Sequence, residues 1–260
     1  MTETPTLAAR LRSGSPVITG WSVLSAPIIP EIMARSGYEA VTIDLQHGMY
    51  DFAAALEALA ATALGGAYRI ARIPIGDNAT AGRLADMGAE CLIAPMINCR
   101  EDASAFARAV KYPPVGDRSW SPFRAAMLNG QSLEDYRQSA NERTISLAMI
   151  ETQDAIDALD EILSVPELDG VFVGPSDLSL SLSNGAGVDP NGSATAKVCG
   201  EIAERAVKAG KLAGIFCMNA DKVKEAIGQG FCLITLGIDR SFVGDAIDKT
   251  RREIEALTSG

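Results

Sequence analysis

The sequence predicts an α/β fold, a (β/α)8 TIM barrel closed from eight parallel strands, and three observations carry that prediction. Eight short runs rich in β-branched and other apolar residues recur along the 260 residues. Segments with apolar residues at helical spacing separate them, so that each strand is followed by a helix and consecutive strands run parallel. No Gly-x-Gly-x-x-Gly fingerprint follows the first run, which disfavours the open doubly wound sheet, the main competitor.

The strands are expected over residues 17–24, 40–45, 68–73, 91–97, 145–151, 170–174, 212–217 and 232–239. Helices are expected over 52–64, 80–87, 100–110, 153–162, 194–209, 220–228 and 241–257. Asp51, Asn78 and Asn219 stand where side chains cap helix N-termini. Gly37, Gly88, Gly210 and Gly230 stand where the chain leaves a helix through the left-handed conformation. Residues 112–130, rich in Pro, Ser, Arg and Trp, are too long for a mere connection and are expected to form a lid or substrate loop. There is no internal repeat and no low-complexity linker, so residues 1–260 are read as one barrel domain.

Composition narrows the function classes. The net charge is −10 with no basic block, which argues against nucleic acid and anionic membrane surfaces as partners. No apolar run approaches the ~20 residues that span a bilayer. The N-terminus lacks the basic-then-apolar pattern of a secretory signal, and a soluble, cytoplasmic protein is expected. The five cysteines are odd in number and form no CxxC pair, so they are read as reduced and structural.

Barrels of this kind build their active sites at the carboxyl ends of the strands. Those ends carry Trp21, Asp44, His47, Arg72, Glu151, Asp177, Phe216 and Asp239. Glu151 and Asp177 lie one βα unit apart, so both carboxylates can lean over the barrel mouth. Two carboxylates with waters and substrate oxygens suit a hard divalent cation such as Mg2+ or Mn2+. A His-rich or Cys-rich zinc site is disfavoured by one histidine and unpaired cysteines. Taken alone, Glu151 and Asp177 could equally cap the helices that follow them. Gly174-Pro175 leads into a turn or helix that leaves the N–H groups of Ser176 and Asp177 open to an anion, such as a substrate carboxylate.

His47 follows a strand end with Asp44 three residues earlier, where a carboxylate can hold an imidazole in one tautomer and raise its basicity; a structural histidine is the plainer alternative. Arg72 is a charge inside an apolar strand and needs an anion, either Glu151 or Asp177 or a developing enolate oxygen. No lysine lies at the carboxyl end of a strand, which disfavours a Schiff base and leaves a metal as the electron sink.

Several motifs stand in one order along the chain: Gly37-Tyr38-Glu39-Ala40-Val41-Thr42-Ile43-Asp44 with His47, Arg72-Ile73-Pro74, Met87-Gly88-Ala89, Ala94-Pro95-Met96, Met149-Ile150-Glu151-Thr152, and Gly170 to Ser179. Together they resemble the HpcH/HpaI family of class II pyruvate aldolases, whose best-known member acts on 4-hydroxy-2-oxoheptanedioate. The resemblance implies a phosphoenolpyruvate/pyruvate-type barrel that adds the enolate of a 2-oxo acid reversibly to an aldehyde. By it, Glu151 and Asp177 hold the divalent cation (Mg2+, Mn2+ or Co2+), Arg72 stabilises the enolate, and His47 with Asp44 moves protons through a water. The backbone of Ser176 and Asp177 then binds the keto acid's carboxylate, and Asp86 reaches the site of a neighbouring subunit. It also implies a homo-oligomer, a hexamer built as a trimer of dimers that exchange their last helix.

The Asp-Leu-Gln-His-Gly variant resembles the branch that accepts hydroxypyruvate as well as pyruvate. Leu45-Gln46 and Met149 depart from the common family pattern, and both positions are expected near the site. Trp21, Phe216 and residues 120–127 are expected to shape the aldehyde pocket, with Trp120 and Phe123 as buried loop anchors the alternative. A lyase of CoA thioesters is the runner-up and would draw its basic region from Arg118, Arg124 and Arg137. A barrel that only binds a metabolite is the remote third reading.

Overall fold

A computed structural model describes residues 5–258 of the chain. The elements run α1 (Leu7–Arg12), β1 (Val17–Ser22), α2 (Ile28–Arg35), β2 (Ala40–Asp44), α3 (Phe52–Leu64), β3 (Tyr68–Arg72) and α4 (Asn78–Asp86). They continue with β4 (Cys91–Ala94), α5 (Arg100–Val110), α6 (Phe123–Leu128), α7 (Leu133–Arg143), β5 (Ile145–Ile150), α8 (Gln153–Asp157) and α9 (Leu159–Leu163). The remainder is β6 (Gly170–Val173), α10 (Pro175–Leu182), α11 (Ser193–Lys208), β7 (Leu212–Cys217), α12 (Ala220–Gly228), β8 (Leu233–Ile238) and α13 (Asp239–Thr258). The eight strands are parallel and hydrogen-bonded in sequence order, and β8 pairs back onto β1 through Val17↔Leu233 and Ile18↔Ile234. The expected closed barrel is the observed one.

Alternation along each strand divides the core into two layers. Val41 and Ile43 of β2 face outward and join Leu59, Leu84 and Phe106 beneath the helices. Trp21, Ile70, Ile93, Leu147, Met149 and Phe172 face inward and fill the barrel. Helix α1 closes the amino end of that interior with Leu7 and Leu11, both fully buried, and Thr6 caps it by accepting from the N–H of Ala9 at 3.1 Å.

Seven of the eight strands end earlier than the apolar runs suggest, since the last residues of those runs leave the ladder to build loops, whereas β7 ends at Cys217 as expected. The run over 91–97 stops at Ala94, and Met96 turns into the left-handed region with φ 55°. The helix expected over 153–162 is divided at Ala158 into α8 and α9. Asp51 and Asn219 cap their helices as expected, whereas Asp77 rather than Asn78 caps α4, accepting from Thr80 N–H at 3.0 Å.

Residues 112–130 are not a lid over the barrel mouth. They follow a helix rather than a strand, so they emerge at the amino end of the strands. There Lys111 Nζ donates to Asn141 O at 2.8 Å, and Arg69, at the start of β3, donates to Asn129 Oδ1 at 2.9 Å. Trp120, Phe123 and Met127 stay exposed at this end, so neither an aldehyde pocket nor a set of buried anchors is formed by them within one chain. No helix among the described residues is long and apolar enough to cross a membrane.

Candidate active site

A cavity of about 530 Å³ opens at the carboxyl ends of the strands. Trp21, Asp44, His47, Arg72, Glu151, Ser176, Asp177 and Phe216 all line it, so eight of the positions singled out in the sequence converge on one space.

Asp44 and Arg72 are register partners across β2 and β3, and both face inward. The guanidinium is held by two bonds, Nε to Oδ1 at 2.9 Å and Nη2 to Oδ2 at 2.6 Å. The partner of Arg72 is therefore Asp44, not Glu151 or Asp177. Asp44 also accepts from Trp21 Nε1 at 3.1 Å and from the backbone N–H groups of Gln46 and His47 at 3.0 and 3.3 Å. Burial pushes the Asp44 carboxyl up, but the hydrogen bond and charge of Arg72 outweigh it and hold the group below the usual carboxylate value. Asp44 thus grips His47 through its backbone, while the imidazole, exposed at the cavity wall, forms no hydrogen bond among the described residues. Trp21 stacks under Arg72, 4.9 Å from guanidinium carbon to ring centre, and meets Phe216 edge-on at 5.3 Å.

Glu151 follows β5 on its inward face. The last β5–β6 pair, Ile150↔Val173, sets it beside Gly174, where a Cβ would collide with Oε1. Glycine at 174 therefore makes room for the carboxylate. Met96, in its left-handed conformation, donates its N–H to Oε2 at 3.0 Å, the one hydrogen bond that Glu151 receives among the described residues. Burial raises the Glu151 carboxyl to about 7, with the neighbouring Asp177 adding to the rise. Asp177 sits in the first turn of α10, and Pro175 at its start leaves the N–H groups of Ser176 and Asp177 directed outward from a helix that has no side-chain cap.

A buried carboxylate with a single hydrogen-bond donor, set beside a second carboxylate, is a donor pair suited to a cation. Among the described residues no group of three or more His, Cys, Asp and Glu side chains could hold a metal. Two oxygen ligands from the protein fit a hard divalent ion that keeps sites for water and substrate. The residues present fit such an ion.

Other expectations resolve differently. Asp86 lies at the end of α4, away from the cavity, where Arg118 Nη2 and Tyr112 Oη donate to its Oδ1 at 2.7 and 3.2 Å. Its burial raises the carboxyl above the usual value despite Arg118. Asp239 is a buried bracket: its Oδ2 accepts from Ser22 Oγ, Val23 N and Leu24 N at 2.8–3.0 Å, tying β8 to the loop after β1. Leu45 and Gln46 do not line the cavity, and Leu45 packs on the outer core instead; Met149 does line it. The cations proposed for a CoA site are dispersed: Arg118 is buried on Asp86, Arg137 pairs with Glu134 on the surface, and Arg124 lies off the cavity.

Phe172, Val23, Leu24, Lys222 and Arg240 also line the cavity, although no motif in the sequence marks them as site residues. Phe172 was within reach of period-two counting from Gly170 and Gly174. Lys222 reaches the rim from α12, not from a strand end, and is paired with Glu225 at 2.8 Å.

Residues 18–246 match the family model described as HpcH/HpaI aldolase/citrate lyase. The chain is 37 % identical over 244 residues to a hydroxypyruvate/pyruvate aldolase of Rhizorhabdus wittichii, covering 94 % of this chain and 96 % of that one. It is 34 % identical over 257 residues to a 4-hydroxy-2-oxovalerate aldolase of Novosphingobium aromaticivorans, covering 96 % and 95 %. The crystal structure of an HpcH/HpaI aldolase from Desulfitobacterium hafniense superposes with a TM-score of 0.88 at 25 % identity, covering 97 % of each chain.

Proposed function

The chain belongs to the HpcH/HpaI aldolase/citrate lyase family, and on that premise we propose that it is a class II aldolase that forms the enolate of pyruvate or hydroxypyruvate and adds it reversibly to an aldehyde. The observation that carries this reading is the pair Glu151–Asp177, facing Arg72 across the same cavity, with the Glu151 carboxyl raised to about 7 by its burial.

Glu151 and Asp177 would hold a divalent cation, Mg2+, Mn2+ or Co2+, whose Lewis acidity makes the protons beside the ketone of a 2-oxo acid more acidic. The N–H groups of Ser176 and Asp177 bind the carboxylate of that acid. His47, through a water, takes the C3 proton and later returns one to the new alkoxide. Arg72 spends two donors on Asp44, so its Nη1, whose one hydrogen bond among the described residues is to Met149 Sδ at 4.0 Å, is available to an enolate oxygen. Asp44 serves the proton-moving pair by fixing both Arg72 and the backbone of His47. Trp21 and Phe216 give the acceptor aldehyde an apolar wall.

Assembly completes the reading. Helix α13 leaves Phe242, Val243, Ile247, Ile254 and Leu257 exposed, which suits exchange of this helix between two copies in a hexamer built as a trimer of dimers. Asp86 lies outside its own chain's cavity and in such an assembly acts at the neighbouring copy's site.

Exchange of the pyruvate methyl protons in D2O, followed by NMR, tests the reading without knowledge of the aldehyde. Metal-stripped protein should show none, and Mn2+ or Mg2+ should restore it. Glu151→Ala should abolish it and His47→Ala should slow it by about 100-fold or more. No metal-dependent exchange with pyruvate or hydroxypyruvate would sink the proposal.

A further inference from the structure

Four ionic groups of the cavity cancel in pairs, Asp44 with Arg72 at 2.6 Å and Glu225 with Lys222 at 2.8 Å. Glu151 and Asp177 are left as the pair suited to a divalent cation. Arg240 is then the one permanent charge of the wall without a counterpart among the described residues. Its guanidinium forms no hydrogen bond or ion pair among them; only its backbone N–H is held, 2.7 Å from Asp239 Oδ1.

Its place on the barrel separates it from the keto-acid end of the cavity. Glu151 follows β5 and Asp177 follows β6, whereas Arg240 follows β8, three strands on from β5. A 2-oxo acid bound at Glu151, Asp177 and the α10 N–H groups would occupy the β5–β6 side of the mouth and leave the rest of the cavity to the acceptor. In the direction of β7, β8 and β1, Phe216, Met218, Val23 and Leu24 give the wall an apolar stretch beside the closed Lys222–Glu225 pair, and Arg240 lines the cavity just after β8. The backbone there is fixed, because buried Asp239 ties residue 240 and the loop at 22–24 to one carboxylate. A guanidinium on a rigid base, past an apolar stretch and facing no carboxylate, is a receptor for an anion.

Resting on the aldolase reading above, we infer that Arg240 determines the charge preference for the acceptor, binding an anionic group at the far end of a short-chain aldehyde. It is a specificity residue, apart from the groups that make the enolate. Neutral aldehydes of the same length fill the apolar stretch but leave the guanidinium facing water.

The test compares kcat/KM with pyruvate for two matched acceptor pairs, succinic semialdehyde against butanal and D-glyceraldehyde 3-phosphate against D-glyceraldehyde. Wild-type protein should favour the anionic member of at least one pair. In Arg240→Gln that anionic-to-neutral ratio should fall by about tenfold, the size expected for one charge-assisted hydrogen bond, and Arg240→Lys should keep most of it. Because the ratio is taken within each variant, a general loss of activity or folding does not move it; a variant inactive with every acceptor is replaced by Arg240→Met. A ratio unchanged within about twofold for both pairs overturns the inference. Methyl exchange of pyruvate in the wild-type protein separates the two levels. Its absence removes the aldolase reading and this inference together; its presence with an indifferent Arg240 removes the inference alone.

Discussion

Asp44 receives five hydrogen bonds, two from Arg72 and one each from Trp21, Gln46 N and His47 N. It is 1 % exposed and Arg72 is 7 % exposed, so the pair is buried and mutually dependent. With the folded-state carboxyl below its ordinary value of 3.8, the stability it contributes is fully present above that value. It is lost as pH falls through the lower, folded value. Asp44→Asn leaves the guanidinium buried without an anion and should cost about 3 kcal/mol in urea unfolding near neutral pH. The variant should also lose less stability than wild type on acidification from about pH 5 to about pH 3. An acid limb as steep in Asp44→Asn as in wild type would show that other carboxylates govern it.

At the scale of elements, the join of β8 to α13 carries an irregularity with a purpose. Between the pairs Thr19↔Thr235 and Trp21↔Ile238, β8 spends one residue more than β1, and Gly237 takes φ 73° there. Such a bulge turns the strand and redirects the chain beyond it. Here it brings Asp239 onto the loop after β1 and lets the ring of Phe242 lie where a side chain at 237 would stand. Gly237→Ala combines the left-handed penalty with a clash against Phe242, and should lower stability by about 2 kcal/mol. Thermal unfolding checks it, with Gly228→Ala, mid-surface and open, as the comparison that should change little.

For the whole molecule, α13 carries exposed Ile247, Ile254 and Leu257 on a helix whose main contacts with the barrel are to β1 and β8. A contiguous apolar face of that kind is a cost to an isolated copy in water. Ile247→Asp should shift the sedimentation-velocity distribution toward smaller species at equal protein concentration. Identical distributions for variant and wild type would count against exchange of this helix. If Asp86 acts across the interface, the smaller species should also lose turnover.

The alternation of strand and helix, and with it the barrel, is legible in the residues alone, because periods of two and 3.6 are local properties of the chain. So is the meeting of Asp44, Arg72, Glu151 and Asp177. In a parallel barrel every strand's carboxyl end lies on one rim, so chain order alone gathers those side chains. Pairing within the rim depends on how the folded strands stand against one another. Arg72 takes Asp44 because β2 and β3 set them in register, and Glu151 keeps its place because Gly174 stands beside it. The same holds for residues 112–130 and Asp239. A loop's destination and a carboxylate's donors depend on which distant backbone comes near, and no local period encodes that distance.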